Sequence, residues 1–137
     1  MNTDCDFRLS IVIVSYNTRD TLARCLEALH DSPPSITHQI IVVDNASSDE
    51  TVDLIRARWP SLQIIEMNFN AGFSAANNAA IHSSQSEFVL LLNSDTLPSS
   101  NSIDSLVSEL DTNSDVAAVG PRLVNLRGQI EISFGRM

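Results

Sequence analysis

The chain has 137 residues, 43% of them apolar and 18% charged, which suits one globular domain around a single sheet and excludes a disordered chain. Its formal charge is −9 and all eight cations are arginine, which excludes Schiff-base chemistry on a lysine and a phosphate loop built on one, and argues against a nucleic-acid surface. No run of 18 apolar residues marks a transmembrane segment, no signal-peptide pattern opens the chain, and Cys5 and Cys25 have neither metal-ligand spacing nor a disulfide pattern, so a cytoplasmic address is expected.

In chain order, Leu9 to Ser15 is a nearly continuous β-branched run, the pattern of a strand buried on both faces. Thr18 is a candidate N-cap for a helix whose apolar residues Leu22, Cys25, Leu26 and Leu29 recur at helical spacing until Pro33-Pro34 forbids continuation. Gln39 to Val43 is a second buried strand. Ser47-Ser48-Asp49-Glu50 has the spacing of a capping box and predicts a helix start, carrying Val52 and Ile55 and ending near Trp59-Pro60. Leu62 to Glu66 reads as a third strand, and Phe73, Ala76, Ala80 and Ile81 as the apolar stripe of another helix. Glu87 to Leu92 is a fourth strand, Ile103, Leu106, Val107 and Leu110 mark a further helix, and Val116 to Val119 reads as a fifth strand. From Arg122 onward, a turn signal at Arg127-Gly128 followed by alternation predicts a hairpin or an extended excursion. Strands alternating with helices imply an α/β fold: three α/β/α layers around a mostly parallel, Rossmann-like sheet.

In such a sheet, ligands bind beyond the carboxyl ends of the strands, so the residues that follow each apolar run are the candidates for function. They are Ser15-Tyr16-Asn17, then Asp44-Asn45-Ala46-Ser47, then Asn68-Phe69-Asn70-Ala71-Gly72, then Asn93-Ser94-Asp95. Asp44 is placed to accept hydrogen bonds from a base or ribose, or simply to cap local backbone N–H groups. Tyr16 either stacks on a base or covers the core edge. Asp95 is a candidate ligand for a hard divalent cation, since such ions bind through one or two carboxylates when substrate phosphates supply further oxygens; the alternative is a turn leading into Pro98. His30, His38 and His82 are scattered and have no ligand spacing, Cys25 belongs to the apolar stripe, and Gly72 answers a backbone need.

The series Val14-Ser15-Tyr16-Asn17, then Val42-Val43-Asp44-Asn45-Ala46-Ser47-Ser48-Asp49-Glu50-Thr51, then Asn70-Ala71-Gly72-Phe73-Ser74-Ala75-Ala76-Asn77-Asn78, then Leu91-Leu92-Asn93-Ser94-Asp95-Thr96, in this order and spacing, resembles the family-2 glycosyltransferases of the GT-A fold. The resemblance runs from about Leu9 to about Ser133, and Gly120-Pro121-Arg122-Leu123-Val124-Asn125 followed by Gly128 is similar to the rhamnosyltransferase-like branch. It implies that Ser15, Tyr16, Asn17, Asp44, Asn78, Asn93 and Ser94 bind a UDP- or dTDP-sugar. Tyr16 would lie against the base, Asp44 would bind uracil or thymine, and Asn93 would lie near the ribose or sugar. Asp95 would hold Mn2+ or Mg2+ on the diphosphate. Two positions depart from the family pattern: Asn93 stands where the first aspartate of the D-x-D motif is usual, and Asn77 where an arginine is common.

The resemblance further implies inverting transfer to a saccharide or lipid-linked acceptor in polysaccharide or cell-wall synthesis, with a carboxylate base taking the acceptor proton. None of Asp104, Glu109, Asp111, Asp115 and Glu131 has a persuasive context as that base. Residues 1–137 are therefore expected to be a single donor-binding domain, truncated before the acceptor region, in the cytoplasm or at the inner face of the membrane. Other readings are a degenerate fold serving as a scaffold, and a nucleotidyltransferase, which lacks its basic glycine-rich first loop here. A phosphoacceptor receiver domain lacks its acidic pair and its lysine.

Overall fold

The computed structural model describes residues 6–99 and 101–131. Its elements are β1 (Leu9–Ser15), α1 (Arg19–Asp31), β2 (His38–Asp44), α2 (Thr51–Arg58), β3 (Gln63–Glu66), α3 (Phe73–Ser83), β4 (Phe88–Asn93), α4 (Ser102–Thr112), β5 (Leu123–Val124) and β6 (Ile130–Glu131). The first four strands form a parallel sheet in the order β3-β2-β1-β4, and β5 and β6 form a separate antiparallel pair.

Strand β1 has a neighbour on each side and both of its faces are covered, so its sequence is an apolar run from Ile11 to Val14 rather than alternating, with Ser10 and Ser15 buried beside it. Leu9, Ile11 and Ile13 point to one layer, where they meet Leu22, Cys25, Leu26 and Leu29 of α1, Ile55 of α2, and Ile103 and Val107 of α4. Val12 faces the other layer with Ile41 and Val43 of β2, against Ala76 and Ala80 of α3. Two alanines at helical spacing let α3 pack across β1 and β2. The α3 layer does not cover β4, whose Val89 and Leu91 are 40% and 49% exposed. Among the described residues no helix is long and apolar enough to cross a membrane.

Four local expectations are corrected. Val116 to Val119 form no strand; the segment turns through a bond from Val116 N–H to the Asn113 carbonyl, and β4 ends the sheet on that side among the described residues. Apolar content alone does not make a strand, because the backbone must also find a ladder partner. The capping box does not form: α2 begins at Thr51, Glu50 sits in the left-handed region at φ 62°, and no side chain caps the helix. Thr18 occupies the N-cap position of α1 without capping it; the Arg19 N–H instead donates to Asp49 Oδ2 at 2.9 Å. In α3, Phe73 and Ile81 are exposed, and Asn77 is buried beside Ala76 and Ala80 by returning its amide to the Phe73 carbonyl at 2.9 Å.

The hairpin after Arg122 is present. Asn125 Oδ1 accepts from the N–H groups of Arg127 and Gln129, and Gly128 takes the positive φ of 75° that the turn requires. Cys25 is core, as expected from its place on the stripe. Ser133 lies outside the described residues.

Candidate functional site

Strand register brings the polar residues to one edge. Ser15 of β1 pairs with Asp44 of β2, Asp44 pairs with Glu66 of β3, and Val14 pairs with Asn93 of β4. The strands therefore finish within about one rung of each other, and their loops leave along the same carboxyl edge, the place where open parallel sheets bind ligands.

Asp44 is 3% exposed. Its Oδ2 accepts from the Ser47 N–H at 2.9 Å, which supports the loop-capping role. Its Oδ1 is the buried side-chain oxygen without a hydrogen-bond partner among the described residues. An orphaned buried acceptor costs about 1–3 kcal/mol and calls for an external donor. Tyr16, one residue past β1, is 48% exposed. A half-exposed ring one residue past β1 and an orphaned carboxylate oxygen at the paired end of β2 suit a flat, hydrogen-bond-donating ligand such as a nucleobase.

Three sets of side-chain bonds tie the loops together. Between the first and second loops, Asn17 N–H donates to Ser47 Oγ at 2.9 Å, and Asn17 Oδ1 accepts from Ser48 N–H at 2.8 Å. Asn17 itself has φ 52°, a left-handed conformation that asparagine tolerates because its short amide bonds locally. Asp49 completes this clasp through Arg19 N–H and the Thr51 hydroxyl. Partial burial works against the charge on Asp49, but these donors outweigh it and hold the carboxyl below the usual range. Between the second and third loops, buried Asn45 donates to Asn70 Oδ1 at 2.8 Å and accepts from Ala71 N–H at 2.9 Å. Gly72 follows at φ 85° with open space around it, so its role is backbone conformation rather than a close ligand approach. Between the first and fourth strand ends, Thr18 Oγ1 lies 2.9 Å from Ser15 Oγ and accepts from Ser94 Oγ at 3.2 Å.

Asp95 is exposed at the exit of β4, and its carboxylate has no hydrogen-bond or salt-bridge partner among the described residues. It makes itself felt at Cys25, whose thiol is pushed up to about 11 chiefly by burial and further by the Asp95 charge. No described group of three or more acidic, histidine or cysteine side chains could hold a metal. A free carboxylate beside an amide nevertheless fits a hard divalent cation that shares its remaining positions with water and diphosphate oxygens. Such a cation would rest on Asp95.

Of the residues expected at the site, Ser15, Tyr16, Asn17, Asp44, Asn93, Ser94 and Asp95 are gathered at the carboxyl edge. The hydrogen bonds of Ser15, Asn17 and Ser94 described above go to other loop residues. Asn78 is exposed on α3 and is hydrogen-bonded to none of them. The carboxylates of α4 lie elsewhere: Asp111 binds Arg8 just before β1 at 2.8 Å, and Asp104 accepts from Ser35 N–H just before β2 at 3.0 Å, both at the amino edge of the sheet. Sequence reasoning missed Thr18, Asn45 and Asn70 as loop ties. Their only signal was a run of short polar residues at the ends of strands.

The geometry defines an α/β domain with a parallel sheet whose polar loops gather at its carboxyl edge. The sequence matches glycosyl transferase family 2 over residues 10–133, and the chain belongs to that family. It is 32% identical over 93 residues to the poly(ribitol-phosphate) beta-glucosyltransferase of Bacillus spizizenii, covering 64% of this chain and 15% of that protein. It is 25% identical over 134 residues to the succinoglycan biosynthesis protein ExoO of Rhizobium meliloti, covering 91% and 38%. The fold is shared with the mannosyltransferase PcManGT of Pyrobaculum calidifontis, solved in complex with GDP-Man and Mn2+, at a TM-score of 0.70 and 24% identity over 76% of this chain and 32% of that one. It is also shared with S. aureus TarS in complex with UDP-GlcNAc, at a TM-score of 0.68 and 22% identity over 77% and 31%. The chain thus spans less than half the length of these relatives.

Proposed function

We propose that this domain binds the donor of a glycosyltransfer reaction, a UDP- or dTDP-sugar, for delivery to a saccharide or lipid-linked acceptor in the cytoplasm. The observation that carries the reading is Asp44, a buried carboxylate at the carboxyl edge of the sheet with one oxygen satisfied by its own loop and the other buried without a partner. An ionised carboxylate only accepts, so it selects a base edge that donates, such as the imide N–H of uracil or thymine. Tyr16 supplies a face for the ring, and the loop ties hold both groups before the ligand arrives, which reduces the ordering cost of binding.

Asp95 would hold Mn2+ or Mg2+ on the diphosphate, with Asn93 near the ribose or sugar. When bound, the cation supplies Lewis-acid stabilisation of the charge on the departing nucleoside diphosphate. In the reaction the acceptor hydroxyl forms the new bond to the anomeric carbon, the bond to the diphosphate oxygen breaks with inversion, and a base takes the acceptor proton. We assign no described residue to that base. The α4 carboxylates Asp104 and Asp111 are engaged at the opposite edge of the sheet, which supports a role for residues 1–137 in donor binding rather than in proton transfer. The same observation, with Asn93 in the D-x-D position, favours a second reading, in which the domain binds a nucleotide sugar without turning it over.

The test is calorimetric titration with UDP and dTDP, each with and without Mn2+, on the wild type and Asp95→Ala. Metal-dependent binding that disappears in the variant is expected, and the preferred nucleotide names the base. No binding of either nucleotide, with metal present, refutes the donor site. Binding of a nucleotide sugar without its consumption when acceptors are supplied points to the second reading.

A further inference from the structure

The Asn93-Ser94-Asp95 turn carries the proposed metal ligand; the Thr96 N–H closes it on the Asn93 carbonyl at 3.1 Å, but that bond does not fix where the turn stands against β1 and α1. The link to the rest of the sheet is a chain of three hydroxyls. Ser94 Oγ donates to Thr18 Oγ1 at 3.2 Å, and Thr18 Oγ1 in turn lies 2.9 Å from Ser15 Oγ, which is fully buried at the end of β1. Thr18 is itself anchored twice at its carbonyl, by the Leu22 N–H at 2.8 Å and the Thr21 hydroxyl at 2.9 Å. Its helix reaches the same turn once more, seven residues on and on the same face, through the Cys25 thiol and the Asn93 carbonyl at 3.9 Å. Because Asp49 takes the capping duty for α1, the Thr18 hydroxyl is free for this contact across the sheet.

We propose that Thr18 is a positioning residue for Asp95, its hydroxyl pinning the β4 exit turn to β1 and α1 so that the carboxylate is preset for a diphosphate-bound divalent cation. This rests on the donor-site reading above. A carboxylate on an exposed turn that is free to wander pays an ordering cost when a metal binds; one held by a neighbouring rigid element does not. A threonine hydroxyl suits the task because it both gives and accepts, and its β-branch restricts the rotamer.

The experiment compares the wild type with Thr18→Val, which keeps the shape and loses the hydroxyl, Thr18→Ser, which keeps the hydroxyl, and Asp95→Ala. Two quantities are read: the gain in UDP affinity on adding Mn2+, and the backbone 15N order parameters of Ser94 and Asp95 without ligand. In Thr18→Val the gain is expected to fall about five-fold, the worth of one neutral hydrogen bond, and the order parameters to drop. Thr18→Ser should restore both. Ser94→Ala removes the same bond from the other side and should reproduce the loss if Thr18→Val is poorly folded. An unchanged metal gain and unchanged order in Thr18→Val overturn the proposal. If Asp95→Ala keeps the metal gain, the metal assignment fails instead, and the order parameters alone then decide whether Thr18 holds the turn.

Discussion

Replacing Asp44 with asparagine tests the site at its centre. In the folded protein one oxygen of Asp44 accepts from Ser47 N–H and the other is buried and unpaired. Asparagine has the same shape and keeps an oxygen for Ser47, but it then turns two N–H donors toward the open position. A base edge that donates meets another donor there. A hydrogen bond to a charged acceptor contributes about 1.5–3 kcal/mol, so UDP affinity should fall by roughly 10- to 150-fold. The fold should not suffer, because the loop bond survives and the variant leaves no buried charge without a partner. Calorimetry measures the affinity, and thermal unfolding followed by circular dichroism checks the fold. Wild-type UDP affinity in a correctly folded Asp44→Asn would refute the assignment of the orphaned oxygen to the base. A large loss of thermal stability would instead make Asp44 a structural residue, whose value lies in capping the Ser47 turn.

Two further outcomes concern the loop ties. Asn45→Ala removes both side-chain bonds to the third loop and strands the Ala71 N–H; we expect a loss of about 1–3 kcal/mol and faster hydrogen exchange at the Ala71 amide, and unchanged exchange there would show that the loop holds without Asn45. For Asp49 the folded carboxyl titrates below its unfolded value, so its contribution to stability is present above the unfolded value, near pH 4, and is lost as pH falls through the lower folded value. Asp49→Asn should therefore lower Tm at neutral pH and lose its deficit against the wild type on acidification below about pH 4. A deficit that stays constant across that range would count against the charge of Asp49 as the source.

The difference between what was legible and what was not follows from the range of the forces involved. The runs Leu9–Ser15 and Gln39–Val43 are apolar because both faces of the sheet are covered there, Glu87–Leu92 is covered on one face only, and the point where each turns polar is the point where it leaves the core. Sequence alone therefore located the four main strands, their alternation with helices, and the polar residues of the ligand edge. The resemblance to a known family added the expected roles of Asp44 and Asp95.

The errors came where one local pattern served two uses. Ser47-Ser48-Asp49-Glu50 has capping-box spacing, but Ser47 and Ser48 are drawn to Asn17, and Asp49 is shared between Arg19 at the start of α1 and Thr51 at the start of α2, so the reciprocal bonds of a capping box do not form. Val116–Val119 has strand composition, but whether a strand forms depends on a ladder partner that composition does not supply. The apolar stripe of α3 was misread at Phe73 and Ile81, because how far a helix lies over a sheet decides which of its residues are covered.

What the sequence by itself determined is the layered architecture and the edge on which the short polar residues gather, because apolar burial follows the period of each element. What only the tertiary structure decided is how that edge is held. Asn45 meets Asn70 across 25 residues and Thr18 meets Ser94 across 76, and the orphaned oxygen of Asp44 is visible only once every neighbouring donor has been placed. Hydrogen bonds are short-ranged and directional, so their partners are fixed by where folding brings the strand ends and not by spacing along the chain.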